Sequence, residues 1–288
     1  MTEIERYAAP TSLDEALGIL QQGEVRILAG GTDLMPQSKA GRLALGPTLM
    51  NIRRVPELKG VALDGDAIRI GALTTITELL ADPLVRQHLP VLAEACDHFA
   101  SDQIRNAGTI GGNIGNASPA GDTLVPLIVL DAVVELASKP NGSVAMRRMP
   151  LAEFFTGPGR TKRAANELLT AVRIPLPRAG HVARFYKFGT RPALDISAIS
   201  IGIAGVVRDG ALTDTRVAFG AVAPTPVRAP RTEAALEGKR LDAATIAAAA
   251  NAARDEVAPI DDVRATAWYR KELIHNMTKR MLDHVAQA

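Results

Sequence analysis

Apolar residues along this chain come in short runs that are separated by glycine, proline and small polar residues. Runs of this kind, when they are rich in branched side chains, are typical of short strands. The pattern predicts strands over residues 25–28, 48–52, 67–70, 132–137, 146–149, 168–174, 183–188, 196–207 and 215–221. We expect strand 25–28 and the apolar run 124–130 to be buried.

Helices are predicted where polar capping residues precede apolar positions at helical spacing. Two capping boxes occur, Ser12 with Glu15 and Thr75 with Glu78, and each is expected to open a short helix. A longer helical pattern covers 83–100 and is broken near Pro90, because proline lacks the N–H group that the helix interior needs.

Two more helices are predicted near the end of the chain. Asp242 is a suitable N-cap for the alanine-rich segment 243–257. Asp261 or Asp262 is expected to cap a last helix, whose apolar positions are Val263, Ala267, Ile274, Met277, Met281 and Val285. Helices and strands do not alternate regularly, so the sequence predicts an α+β fold. The break at Pro175 and Pro177 marks a domain boundary.

Composition excludes several classes of function. The 288 residues include 33 basic and 31 acidic side chains, a net charge of +2, which argues against nucleic acid or a membrane surface as the main partner. The apolar runs are too short to span a membrane. Residues 1–7 lack the apolar core of a signal peptide, so we expect a cytoplasmic location.

Candidate catalytic and metal-binding residues are scarce. The single cysteine, Cys96, lies among apolar neighbours and is expected to be a core residue; one cysteine supports neither a disulfide nor an iron–sulfur cluster. The five histidines form no pair at metal-ligand spacing, and no Gly-x-Ser-x-Gly segment marks a nucleophilic serine. We therefore assign no catalytic residue and no metal site.

Two glycine-rich segments carry the strongest chemical signal. One is 28–33, directly after the strand at 25–28, and the other is the long loop 109–122. Glycine lets a ligand approach the main chain, and N–H groups arranged in a nest or at a helix start bind phosphate without a lysine. Two such segments suggest a ligand with two linked phosphates.

An alternative for the shorter segment is an ordinary turn, because Gly-Gly-Thr is common turn chemistry. The longer segment has more glycines than a turn requires, at 108, 111, 112, 115 and 121. Neither segment follows the Rossmann Gly-x-Gly-x-x-Gly pattern or the P-loop pattern that ends in Gly-Lys-Ser/Thr. The usual nucleotide-binding folds are therefore not indicated.

The same segments resemble the FAD-binding medium subunit of the molybdenum hydroxylases, the xanthine oxidase and carbon monoxide dehydrogenase family. The resemblance rests on 29–34, 103–114 and 117–122, with weaker support from 154–159, 167–175, 220–228 and 263–270. It implies a two-lobed FAD domain like that of vanillyl-alcohol oxidase relatives, over 1–176, with lobes of about 1–60 and 61–176. Residues 177–288 would form a small antiparallel sheet with packed helices.

The resemblance also implies the cofactor-binding residues. They are Leu28, Ala29, Gly30, Gly31, Thr32, Asp33, Leu34, Phe99, Gly108, Thr109, Gly111, Gly112, Asn113, Asn116, Ser118, Asp122, Leu169 and Lys187. Residues 29–32 would hold the FAD pyrophosphate from one side and 109–113 from the other. Ser118 and Asp122 would bind the cofactor further along, Phe99 would pack on it, and Leu169 and Lys187 would lie beside the flavin ring.

Each isolated residue also has a structural alternative. Asp122 could cap a helix that begins at Leu124. Phe99 and Leu169 could be plain core residues, and Lys187 could be an outward-facing lysine on a strand.

The function that the resemblance implies is electron relay in a three-subunit enzyme. Two [2Fe–2S] clusters on a small subunit would pass electrons from a large molybdenum subunit to FAD here, and an acceptor such as NAD⁺, oxygen or a quinone would take them. A dimer of heterotrimers is implied. The alternatives are a stand-alone FAD-dependent reductase or oxidase, and a scaffold without its cofactor.

Two differences from family members exclude particular branches of the family. The 4-hydroxybenzoyl-CoA reductase branch carries an extra cysteine-ligated cluster, which a single Cys96 cannot supply. Asp33 follows Thr32 where carbon monoxide dehydrogenases tend to carry Ser-Leu, so carbon monoxide is not assigned as the substrate.

Overall fold

A computed structural model describes residues 4–191 and 194–286, which form four β-sheets packed with eleven α-helices. Its first sheet has three parallel strands in the order β1-β3-β2. The elements of this part are β1 (Arg6–Ala8), α1 (Leu13–Leu20), β2 (Val25–Leu28), α2 (Leu34–Lys39) and β3 (Thr48–Asn51). The buried face of α1 packs on β3, where Leu17 and Met50 are fully enclosed.

The second sheet is antiparallel, with the strand order β4-β5-β10-β6-β7. Its strands are β4 (Val61–Asp64), β5 (Ala67–Gly71), β6 (Val133–Ser138), β7 (Ala145–Pro150) and β10 (Leu168–Pro175), and a separate hairpin joins β8 (Phe155–Gly157) to β9 (Arg160–Thr161). The register of β10 against β6 shifts between Leu169 and Ala171, which bends the central strand beside the candidate site.

Six short helices lie in the chain between β5 and β6 of the second sheet. They are α3 (Ile76–Ala81), α4 (Pro83–His88), α5 (Pro90–Asp97), α6 (Asp102–Arg105), α7 (Ile110–Asn116) and α8 (Leu124–Val129). Apolar side chains of α3, α4, α5, α7 and α8 form one buried cluster with those of the sheet, whereas α6 has no buried residue. Three single turns of 3₁₀-helix, Pro56–Leu58, Pro140–Gly142 and Leu151–Glu153, complete this half of the chain.

The last sheet is antiparallel, in the order β11-β12-β13-β14, with β15 paired to β13. Its strands are β11 (His181–Phe188), β12 (Ile199–Arg208), β13 (Ala211–Gly220), β14 (Val227–Arg228) and β15 (Lys239–Arg240). Helix α9 (Pro230–Leu236) lies between β14 and β15, and α10 (Ala243–Glu256) and α11 (Ala267–Ala286) follow β15. The three helices and the sheet share a second apolar cluster.

Helix α8 joins the two halves of the molecule, because it packs on β12 and β13. The close packing of α8 on β12 depends on Gly202, because a Cβ atom at this position would lie 2.9 Å from Val125 and 3.1 Å from Val129. At the end of α8, Asp131 forms ion pairs with Arg216 and Arg228 of the last sheet.

Many predicted elements are confirmed. The capping box of Thr75 and Glu78 makes both of its hydrogen bonds, and Asp242 caps α10 through the N–H of Thr245. The α+β class is confirmed as well. Of the other box, Ser12 accepts from the Glu15 N–H, but the Glu15 carboxylate reaches back to Thr11 instead of Ser12.

Several boundaries were wrong. Strand β2 is only partly buried. Helix α5 ends at Asp97, before Phe99, and the Arg105 guanidinium donates to the carbonyls of both residues. Strand β12 begins only at Ile199, because the Asp195 carboxylate accepts the N–H groups of Thr190, Arg191 and Ile196 and holds these residues in irregular conformations.

The start of the last helix was also wrong. Thr266 accepts from the N–H of Tyr269, and Asp262 lies outside α11, where it pairs with Arg270. Asp261 does accept from Ala267, the first residue of α11. Val263, which was expected on this helix, lies before it and is 97% exposed.

Strand β13 was predicted too short, since pairing with β12 extends it back to Ala211. The glycine-rich stretch 109–122 is also not a continuous loop, because Ile110–Asn116 is helical. In residues 4–191 and 194–286, no helix combines the length and the apolar character that crossing a membrane requires.

Candidate cofactor site

The turn after β2 presents a row of free main-chain donors. In the part of the chain that the structure describes, the N–H groups of residues 30–34 have no hydrogen-bond acceptor. Gly31 has a φ of +75°, in the left-handed region that favours glycine. Successive N–H groups around such a residue form a concave nest that binds anions. This turn, the first loop, therefore suits a phosphate group.

A second loop, residues 107–109, lies directly against the first. A Cβ atom on Gly30 would overlap the carbonyl oxygen of Ala107 and lie 3.1 Å from the Cα of Gly108. A Cβ atom on Gly108 would in turn lie 3.5 Å from the Thr32 hydroxyl and 3.8 Å from the ring of Phe99. The two loops are thus in contact, and Gly30 must be glycine where they touch, whereas a Cβ atom on Gly108 would make only ordinary van der Waals contact with the first loop.

The main-chain donors of α7 are used inside the protein. The Thr109 hydroxyl accepts from the N–H of Gly112 at 3.0 Å and so caps the helix. The N–H of Gly111 donates to the carbonyl of Ala72 at 2.9 Å. A Cβ atom on Gly111 would lie 2.6 Å from that of Ala72, so packing explains this glycine.

The other glycines of α7 form a surface without side chains. Gly112 and Gly115 are exposed, and a Cβ atom on Gly115 would meet no atom within 4 Å. A Cβ atom on Gly112 would meet only the Thr109 hydroxyl, at 2.8 Å. This face of the helix can therefore be approached closely by a ligand, which a side chain at position 112 would displace.

Two polar side chains on or just after α7 already accept hydrogen bonds from other parts of the protein. The Asn113 carbonyl oxygen accepts from the Thr123 hydroxyl at 2.7 Å, and Asn116 is half-buried at the end of α7. The Ser118 hydroxyl accepts from the N–H of Ala120 at 3.3 Å. Both Asn113 and Ser118 therefore stabilise the local backbone, in addition to any contact with a ligand.

Asp122 and Lys187 form a nearly buried ion pair. The Lys187 ammonium donates to Asp122 Oδ2 at 2.8 Å and to the carbonyl oxygen of His98 at 3.1 Å, and the Ser197 hydroxyl donates to Asp122 Oδ1 at 3.3 Å. The two alternatives for these residues are wrong: Asp122 makes no capping bond to α8, and Lys187 does not face outward.

Burial and charge act in opposite directions on Asp122. Desolvation raises the pKa of its carboxyl group above the ordinary value, while the charge and the hydrogen bond of Lys187 act to lower it. Lys187 therefore favours the ionised form of the Asp122 carboxyl group, which burial disfavours.

Phe99 and Leu169 lie at the edge of the core. Leu169 is buried beside the bulge in β10, and Phe99 is partly buried against the same apolar cluster. The Phe99 ring lies near the second loop, as described above, so burial and contact with a ligand are compatible for this residue.

A cavity of about 520 Å³ opens beside Lys187. It is lined by Glu94, His98, Phe185, Tyr186, Lys187, Phe188, Gly189, Thr190 and Arg191. Desolvation raises the pKa of the Glu94 carboxyl group. Lys187 is the only one of these lining residues that the sequence analysis predicted for the site. The aromatic residues in 185–188 could have indicated the cavity, whereas Glu94 lies in α5 and His98 directly after it, far from β11 in the sequence.

Neither Cys96 nor any cluster of histidines forms a metal site in the described residues. Cys96 is fully buried, as predicted, and burial together with the charge of Asp122 raises the pKa of its thiol to about 12. Among the residues that the structure describes, no group of three His, Cys, Asp or Glu side chains could hold a metal ion.

These features together fit a dinucleotide cofactor. A nest of free N–H groups and a bare helix surface suit a diphosphate, because both admit oxygen atoms close to the main chain. A cavity with aromatic walls and one ammonium group suits a flat ring that gains negative charge.

Comparisons with known proteins agree with this geometry. Residues 2–177 match the FAD binding domain in molybdopterin dehydrogenase, and residues 184–285 match the CO dehydrogenase flavoprotein C-terminal domain. The xanthine dehydrogenase FAD-binding subunit of Escherichia coli O157:H7 is 33% identical, over 100% of this chain and 98% of the relative. The carbon monoxide dehydrogenase medium chain of Hydrogenophaga pseudoflava is 35% identical, over 96% and 95%.

The solved structures include the same architecture. Reconstituted CO dehydrogenase from Oligotropha carboxidovorans contains a chain that is 30% identical to this one, with a TM-score of 0.93. The match covers 100% of this chain and 99% of that chain.

Proposed function

This chain belongs to the FAD-binding medium subunits of the molybdenum hydroxylases, and on that premise we propose that it carries FAD between the iron–sulfur clusters of a small subunit and an external electron acceptor. FAD, when bound, would accept electrons from the iron–sulfur clusters and pass them to the external acceptor. The residues of this chain bind and orient the cofactor and set its electron affinity.

The observation that supports this function best is the contact between the first loop and the second. Residues 30–34 offer free N–H groups, and Gly112 and Gly115 offer a bare surface on α7. We assign the pyrophosphate of FAD to this pair of features. The main-chain N–H groups of Gly111 and Gly112 already have acceptors, so the first loop would supply the stronger donors.

The remaining cofactor contacts are part of the same proposal. Phe99, Leu169 and Lys187 would lie along the flavin, and Asn116 and Ser118 would bind the part nearer the diphosphate. A lysine beside the ring stabilises the negative charge of the reduced flavin, which raises its potential.

Partners and domain division complete the proposal. The relatives are FAD-binding and medium chains by name, which supports assembly with a large and a small subunit. The proposal further takes the assembly to be a dimer of heterotrimers in the cytoplasm, with molybdenum on the large subunit and the iron–sulfur clusters on the small one. The matched segments 2–177 and 184–285 support a division near residue 176. The separate sheets before and after residue 60 support two lobes in the first domain.

Co-expression with a large molybdenum subunit and a small iron–sulfur subunit tests the proposal. The three chains are expected to purify together, with a flavin absorption spectrum and a stoichiometric FAD content. A complex that assembles without flavin, or a chain that purifies alone as an active flavoenzyme, would contradict it. The second result would instead support the stand-alone reductase or oxidase.

A further inference from the structure

The pair of Asp122 and Lys187 crosses the boundary between the two halves of the molecule. Asp122 precedes α8 in the first half, whereas Lys187 lies on β11 of the last sheet. Their side chains are 12% and 8% exposed. Each residue has one further partner, the Ser197 hydroxyl for Asp122 and the His98 carbonyl for Lys187.

Stability alone does not account for a charged pair at this position. Removing two charges from water costs free energy that their attraction recovers only in part, and apolar pairs of similar volume are often equally stable. Lysine has three N–H donors, and the two acceptors named above leave one of them. Lys187 also lines the cavity, so this donor is placed where a ligand can use it.

We propose that Asp122 is a positioning residue, whose carboxylate holds the Lys187 ammonium at the edge of the cavity and thereby sets the electron affinity of the flavin. This inference rests on the proposed function, which places the flavin ring beside Lys187. It gives Asp122 a different role from direct binding of the cofactor, because the carboxylate acts through Lys187.

Charge arithmetic gives the direction of the effect. With Asp122 present, the pair is neutral and the ammonium is partly screened from the cavity. Asp122→Asn keeps an oxygen that can accept the hydrogen bond of Lys187 but leaves the positive charge uncompensated, which favours the anionic reduced flavin. Lys187→Met removes the positive charge, and with it the interaction that favours the ionised form of the Asp122 carboxyl group.

The other end of α8 offers a matched control. Asp131 also pairs with side chains of the last sheet, including Arg228 at 3.1 Å, but its side chain is 40% exposed and it does not line the cavity. Asp131→Asn therefore removes one carboxylate from the same boundary without changing charge beside Lys187.

The experiment measures the flavin midpoint potential in the co-purified three-subunit complex. Asp122→Asn is expected to raise the preference for reduced over oxidised flavin about tenfold, which is about 30 mV for a two-electron couple, and Lys187→Met to lower it by a similar factor. Asp131→Asn is expected to leave the potential unchanged. In the Lys187→Met background, Asp122→Asn is expected to have no further effect.

Each contrary result has a distinct meaning. An unchanged potential in Asp122→Asn, or an equal shift with and without Lys187, overturns the positioning role. Loss of FAD from Asp122→Asn, with an unchanged potential of the flavin that remains, shows direct cofactor binding and also overturns it. A wild-type complex without FAD refutes the proposed function itself. If Asp122→Asn alone fails to fold, the double variant, which buries no charge, is compared with Lys187→Met.

Discussion

Gly30 lies against Ala107 so closely that a Cβ atom at position 30 would overlap the carbonyl oxygen of Ala107. The two residues are 77 positions apart in the chain; Gly30 belongs to the first glycine-rich segment, and Ala107 lies two residues before the second. Their contact brings the free N–H groups of residues 30–34 next to the start of α7. The anion site therefore depends on a main-chain contact that only glycine permits.

Gly30→Ala is expected to separate the two loops. The added methyl group meets backbone atoms that cannot move aside, and such overpacking destabilises a protein by about 1–3 kcal/mol. FAD content should fall in parallel, as measured by absorbance of the purified complex. Gly18→Ala is the control, because Gly18 lies in α1 with open space around it. That change should be neutral or stabilise by up to about 1 kcal/mol. Normal FAD content in Gly30→Ala would show that the loop contact is dispensable.

Two neighbouring glycines of α7 are expected to differ in their roles. Gly112→Val places a side chain on the bare surface, so it should reduce FAD content more than tenfold. Because the added Cβ atom would also meet the capping Thr109 hydroxyl at 2.8 Å, a loss of about 1 kcal/mol of stability is expected with it. Gly111→Ala instead meets Ala72, so it should cost about 1–3 kcal/mol of stability. Urea unfolding of the apo chains and FAD content of the complexes separate the two effects. Full FAD retention by Gly112→Val would remove this surface from the site.

Asp262 is expected to make stability depend on pH in the acid range. Hydrogen bonds from Arg270 and from two backbone N–H groups lower the pKa of its carboxyl group from 3.8 to about 2. Because the folded-state pKa is the lower one, this stabilisation is complete above the unfolded-state pKa and is lost as the pH falls toward 2. Asp262→Asn should remove that part of the pH dependence and, at pH 7, about 2 kcal/mol of stability.

The control for this prediction is Asp255→Asn. Asp255 pairs with Arg254 at 3.4 Å on the surface, and its side chain is 54% exposed. Such pairs contribute about 0–1 kcal/mol. Urea titrations between pH 2.5 and pH 7 would measure both variants, and an equal, small loss in the two would show that Asp262 is no anchor for α11.

Cys96 is expected to resist alkylation in the folded protein. Its thiol is buried and its pKa is raised to about 12, so almost no thiolate exists at pH 8, and the thiolate is the reactive form. Iodoacetamide should label it only after denaturation, as followed by mass spectrometry. Rapid labelling of the native chain would show that the region around α5 opens readily.

The short-range features of this protein could be predicted from the sequence. The caps at Thr75 and Asp242 depend on residues three positions away, and the two glycine-rich segments are recognisable from their composition. The boundaries that failed, at Phe99 and Ile196, depend on hydrogen bonds made by Arg105 and Asp195 within irregular loops. No periodic pattern records such bonds.

The amino-acid sequence by itself determined the α+β elements, the family and the two glycine segments. Only the tertiary structure decided which N–H groups remain free, because the acceptor for Gly111 is Ala72, on another segment of the chain. The tertiary structure also decided that Asp122 contacts Lys187 and does not cap α8. Asp122 and Lys187 are 65 positions apart, so no local pattern records their contact. The physical reason is the same in both cases: hydrogen-bond partners are selected by distance in space, and local sequence determines only which donors and acceptors exist.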